Sequence, residues 1–95
     1  MAIRIAVTFR SAPGKGDEYA AAWLPITKQT QTEPGCEQYE VFRSGEDADK
    51  FVLLERWTTA EDLEVHMGVL RDRGPSPTAP YRDESFPTVF ERYEV

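Results

Sequence analysis

The chain of 95 residues contains one cysteine and one histidine. A single cysteine closes no internal disulfide and builds no Cys-based metal cluster, and a single histidine rules out a His-rich metal site. Positive charge is also scarce. Eleven Lys and Arg stand against 17 Asp and Glu, giving a net charge of −6. Nucleic-acid binding rests on Lys and Arg neutralising phosphates, and anionic membranes attract basic segments, so this balance argues against both partners. No apolar run approaches membrane-spanning length, and the opening MAIRIAVTFR is too short and too alternating for a secretory signal. A cytoplasmic location and no bound metal or cofactor are therefore expected.

What is present is the patterning of one small globular domain, residues 1–95, too short for two independent cores. The most informative stretch is Phe51 to Gly68, FVLLERWTTAEDLEVHMG. Phe51 to Trp57 is apolar and aromatic with no Gly or Pro, as a strand requires. Thr58 with Glu61 fits a capping box, and Glu61 and Asp62 place negative charge at the positive end of the helix that follows. Ala60, Leu63, His66, Met67 and Leu70 recur with helical spacing, which turns His66 inward toward the layer carrying Trp57.

The remaining chain reads in order. Ala2 to Phe9 alternates as a half-buried strand, with Ile3, Ile5, Val7 and Phe9 on one face. Arg10 to Gly16 is a Gly/Pro turn. Asp17 opens a helix carrying Tyr19, Ala22, Trp23, Ile26 and Thr30 on one face. Pro25 predicts a kink or break in it, and Pro34 an end near Glu33. Cys36 to Arg43 is a second strand with Tyr39 and Val41 on one face. The polar turn Ser44 to Asp49 joins it to the strand from Phe51 as a hairpin. Glu46, Asp47 and Asp49 are spaced loosely like calcium ligands but lack the length and terminal glutamate of an EF-hand, so a solvated turn is expected. The helical spacing after Thr58 gives out near Leu70. Arg71 to Pro87 is irregular and suits a cover over a site. Thr88 to Val95 alternates as a last strand.

The order β-α-β-β-α-β predicts a ferredoxin-like α+β sandwich: a four-stranded antiparallel sheet with two helices on one face. Apolar residues lie on both strand faces, Val52 and Leu54 against Phe51 and Leu53, which predicts a homodimer packed sheet to sheet.

The runs EPGCEQYEVFRS, FVLLERW and TAEDLEVHM together resemble the antibiotic biosynthesis monooxygenase domain family, of the dimeric α+β barrel superfamily. The resemblance implies a homodimer with a pocket between helices and sheet in each subunit. Some members of that family oxygenate quinols, anthrones or related polyphenols with O₂ and no metal or flavin; others degrade haem or isomerise small molecules. Haem-degrading members use an asparagine beside a tryptophan and a histidine, and this chain contains no asparagine. Trp57 and His66 match family site positions.

The expected function is cofactor-independent monooxygenation of a small aromatic molecule, quinol-, phenol- or anthrone-like. His66 has a suitable intrinsic pKa for the base. Trp57, Tyr39, Phe51 and Trp23 are the candidate substrate-binding residues, able to line an aromatic slot. A non-catalytic small-ligand-binding domain and a cofactor-free isomerase remain as alternatives, because one scaffold hosts many activities.

Overall fold

In a computed structural model describing residues 1–95, four antiparallel strands form one sheet in the order β2-β3-β1-β4. The strands are β1 (Ile3–Arg10), β2 (Cys36–Arg43), β3 (Lys50–Trp57) and β4 (Val89–Glu94), and two helices, α1 (Gly16–Thr30) and α2 (Ala60–Arg73), connect them. This is the ferredoxin-like β-α-β-β-α-β sandwich. Both central strands are set by alternation. Ile3, Ile5 and Phe9 of β1 and Phe51, Leu53, Glu55 and Trp57 of β3 are buried under the helices. The alternate residues Ala6, Thr8, Val52 and Leu54 lie on the other face, half-buried. The period-2 geometry of strands makes this partition automatic once one face is covered. No helix is long and apolar enough to cross a membrane.

The cap of α2 lies one residue beyond the Thr58–Glu61 box expected from the sequence. Thr59 is the N-cap: its hydroxyl accepts from the Asp62 N–H at 3.1 Å and donates to Asp62 Oδ2 at 2.9 Å. Thr58 is committed elsewhere, since its N–H donates to the Gly35 carbonyl at 2.9 Å. Gly35 itself sits at φ +77°, and a Cβ there would come within 2.2 Å of Asp62 Oδ2. Glycine is therefore required where the α1–β2 turn presses on the start of α2. That contact brings Glu33 beside α2.

The inward stripe of α2 is also narrower than expected. Leu63 and His66 are buried and Leu70 is half-buried, but Ala60 and Met67 are exposed. The helix meets the sheet mainly over β3, so only residues near one line are covered. The helix continues three residues past Leu70 and stops at Gly74, φ +79°. Helix α1 passes Pro25 without the expected break. Pro25 and Ala21 are both exposed, so water can serve the carbonyl that loses its donor. It ends at Thr30 in tight turns, ahead of Glu33.

Residues 71–87 are more ordered than their composition suggests. They begin with the last turn of α2 and contain a 3₁₀ turn, Ala79–Tyr81. Backbone bonds tie them to the end of β1: Ala12 N–H to Tyr81 O at 2.7 Å and Asp83 N–H to Arg10 O at 2.9 Å. The acidic hairpin turn is similarly occupied by protein. Asp47 pairs with Arg10, and Asp49 accepts from the Gly14 and Gly16 N–H groups at 3.0 and 3.2 Å. Those bonds hold both carboxyls below their ordinary values.

Candidate active site

Two compartments lie between sheet and helices, with Tyr39 on the boundary. The first is a sealed polar cluster. His66 is 1% exposed and Trp57 0%. Their rings lie 4.6 Å apart at 30°, and Tyr39 meets the imidazole edge-on at 5.4 Å. The His66 Nδ1–H donates to Glu33 Oε1 at 2.9 Å, which assigns the proton to Nδ1 because a carboxylate can only accept. Nε2 faces Glu55 Oε1 at 4.0 Å and has no hydrogen-bond partner. Glu55 accepts instead from the Trp57 indole N–H at 2.9 Å.

Burial pushes the Glu55 carboxyl above its ordinary value; the Trp57 N–H and the neighbouring His66 pull it down, and Glu33 pushes it up. Burial first, then Glu33 and Glu55, lift the half-buried Cys36 thiol to about 11, so it is a neutral, unreactive thiol near neutral pH.

A carboxyl raised on folding holds its proton more tightly in the folded state. Its contribution to stability is full below the ordinary value of 4.5 and is lost as pH rises through the folded value. Glu55→Gln keeps an oxygen for the indole N–H and removes this titration. In paired thermal melts, the melting temperature of the variant minus that of wild type is therefore expected to rise between about pH 4 and pH 7. A difference that stays flat or falls contradicts the burial of a titrating Glu55.

The second compartment is a cavity of about 400 Å³, within the usual range for small-ligand sites. Its inner wall is aromatic and aliphatic: Phe9, Tyr19, Trp23 and Tyr39, with Leu53 and Leu70. Its outer wall comes from the end of α2 and the segment beyond it, including Arg73, Ser76, Thr78, Arg82 and Glu84. The segment from Arg71 to Pro87 thus lines the pocket of its own subunit. Phe9 and Trp23 lie 5.4 Å apart at 31°, and Tyr19 meets Phe9 edge-on at 5.5 Å. The Tyr39 phenol is pushed up by burial and by Glu55 and Glu33, against the opposing charge of Arg73, so it is a neutral hydrogen-bond donor.

Of the five residues singled out in the sequence, Tyr39 and Trp23 line this cavity. Phe51 does not; it stacks behind Phe9, 6.0 Å away at 10°, and lines a smaller recess of about 120 Å³ under α1. Trp57 and His66 lie behind Tyr39 in the polar cluster and do not line the cavity. Sequence reasoning missed Phe9 and Tyr19 as cavity walls and Glu33 and Glu55 as partners of His66. Glu55 left a usable signal: a carboxylate two residues before Trp57 shares its inward strand face. No group of three or more His, Cys, Asp or Glu side chains is placed to share a metal ion.

The fold and an aromatic cavity under a short cover define a small ferredoxin-like α+β domain with a ligand-sized site, and comparison with known proteins gives its family. The family model described as antibiotic biosynthesis monooxygenase matches residues 2–69, and the chain belongs to that family. A search of curated proteins finds no match. Among solved structures, a conserved protein from Methanosarcina mazei Go1 superposes with TM-score 0.82 at 23% identity, covering 98% of this chain and 91% of that one. Rv0793 from Mycobacterium tuberculosis gives 0.78 at 19%, covering 100% and 95%. A point mutant of SnoaB, a cofactor-independent oxygenase from Streptomyces nogalater, gives 0.78 at 11%, covering 99% and 92%. At these identities the similarity establishes the fold.

Proposed function

We propose that the protein is a cofactor-independent monooxygenase that oxidises a small quinol-, phenol- or anthrone-like molecule with O₂. The observation that carries this reading is the cavity of about 400 Å³ with four aromatic walls, two of them the neutral phenols Tyr39 and Tyr19, in a chain of the monooxygenase family. The cofactor-independent activity of SnoaB on the same fold supports it. A flat substrate stacks between Trp23, Phe9 and Tyr19, and Tyr39 donates to its oxygen.

Removal of a substrate proton gives an anion rich enough in electrons to reduce O₂ by one electron. The radical pair then combines at carbon. Loss of water from the resulting hydroperoxide turns a CH₂ into C=O, with one oxygen atom in product and one in water. Glu84, the one carboxylate on the cavity wall, takes the substrate proton in this scheme. His66 acts from one layer back. Fixed by Glu33 and stacked on Trp57, it holds the ring of Tyr39 in place rather than touching substrate.

The test is oxygen uptake over hydroquinones, naphthoquinols and anthrones with no metal or flavin added. Uptake above autoxidation supports the oxygenase. Exchange of a substrate C–H proton without uptake would make the protein an isomerase, and thermal stabilisation without turnover a binding domain.

The working unit in this proposal is a cytoplasmic homodimer packed sheet to sheet. The uncovered sheet face carries a cross-strand row of Phe42, Val52, Thr8 and Val89. Phe42 is 44% exposed, Val89 48%, and Tyr93 on the same face 50%. Burying such a row is the usual remedy for an apolar patch. Light scattering is expected to give twice 10.8 kDa; a mass of one chain contradicts the pairing.

A further inference from the structure

The cavity wall carries two arginines, Arg73 and Arg82, against one acid, Glu84, in a chain of net charge −6. Arg10 pairs with Asp47, Arg43 with Asp17 and Arg56 with Glu37, and Arg4 donates to Gln38; Arg71 and Arg92 have no such partner but lie outside the cavity wall. Arg73 and Arg82 both line the cavity and belong to no ion pair. Arg82 reaches only the hydroxyl of Thr88, another lining residue, and Arg73 is half-buried at the last turn of α2. The single acid on this wall, Glu84, does not pair with either of them. In a chain with six more acidic than basic side chains, two guanidinium groups left without carboxylates along one cavity amount to a local reversal of sign.

The end of a helix is a favourable place for a cation and explains Arg73 in part. It explains neither the half-burial of Arg73 beside an aromatic wall nor Arg82, which lies outside any helix. Each cation also sits near a phenol of the inner wall. The charge of Arg73 is felt at Tyr39 and that of Arg82 at Tyr19.

We infer that the ligand of this cavity is an aromatic acid: a flat ring system that carries a carboxylate for Arg73 and Arg82, rather than a neutral polyphenol. Guanidinium recognises carboxylate through paired hydrogen bonds, and the half-buried setting of Arg73 strengthens them relative to open water. The inference rests on the cavity being the ligand site of the proposed oxygenase and narrows its substrate class. It does not depend on oxygen chemistry.

The experiment is an anaerobic titration by calorimetry with two probes, a naphthohydroquinone bearing one carboxylate and its neutral methyl ester. Wild type is expected to bind the acid at least tenfold more tightly than the ester, with a ratio that shrinks as salt is added. Arg73→Gln is expected to bring the ratio within threefold of one while ester binding stays within threefold of wild type. Arg73→Lys should restore part of the preference, and Arg82→Gln should lower it independently. An ester bound as tightly as the acid, a ratio unmoved in both glutamine variants, or no binding of either probe overturns the inference. Tight acid binding with no oxygen uptake from any compound of the quinol and anthrone panel leaves it standing and overturns the oxygenase instead.

Discussion

Trp57→Ala is expected to bring the protein close to unfolding at room temperature. Trp57 is completely buried at the end of β3, stacked on His66 and bonded through its indole N–H to Glu55. Truncating a buried aromatic of this size costs about 3–5 kcal/mol in transfer and cavity terms. The loss of the N–H also leaves the Glu55 carboxyl without its donor, at a further cost of about 1–3 kcal/mol. Small domains hold only about 5–15 kcal/mol in total, so the sum takes most of the reserve. Urea denaturation gives the comparison. Trp57→Phe separates the two costs, since it keeps most of the apolar volume and loses the N–H. It should fall between wild type and Trp57→Ala. A midpoint for Trp57→Ala near that of wild type would contradict the packing described for this layer.

His66→Ala carries the second large effect, on stability and turnover together. The substitution strands Glu33 Oε1, whose only hydrogen-bond donor is His66, and removes the ring between Trp57 and Tyr39. The stranded acceptor alone costs about 1–3 kcal/mol. Because Glu33 and His66 serve each other, Glu33→Ala and His66→Ala should not add. A double-mutant cycle is expected to show coupling of about 0.5–3 kcal/mol.

For catalysis, a positioning role and a direct base make different curves. If His66 holds Tyr39 in place, His66→Ala lowers kcat at least tenfold, about 1.4 kcal/mol of barrier, and the pH–rate profile keeps its shape. If His66 is the base, the acidic limb of that profile disappears with the imidazole. Its placement behind Tyr39, outside the cavity, predicts the first result.

The strands and their order were legible in the sequence because alternation is a local property. β1 reads Ile3, Ile5, Val7, Phe9 inward with no help from tertiary structure. The helices were legible as helices, but not the width of the face they bury. Met67 has helical spacing with His66 and Leu63, yet it is exposed, because the width of the stripe depends on how much sheet lies beneath α2. The cap moved one residue because the N–H of Thr58 goes to Gly35, 23 positions earlier, a contact that no window around Thr58 contains. The partners of His66 failed for the same reason. Glu33 is 33 residues away in sequence and 2.9 Å away in space. The cavity depends on how residues 71–87 fold back to β1, and proline-rich composition says only that they do not form a long helix. What the sequence does contain is the inward direction of Tyr39, Trp57 and His66. Which of them faces the void, and which closes the wall behind it, is decided by the packing of three elements at once.

The most direct test of the functional reading is oxygen consumption by wild type and Tyr39→Phe over the same quinol and anthrone panel, with no metal or flavin. Tyr39→Phe keeps the ring that packs on His66 and deletes only the phenol donor on the cavity wall. Expected is wild-type uptake above autoxidation, with at least a tenfold fall in the variant, about 1.4 kcal/mol of lost transition-state stabilisation. Equal uptake by the two proteins would contradict the role of Tyr39, and no uptake by wild type from any compound would contradict the oxygenase itself.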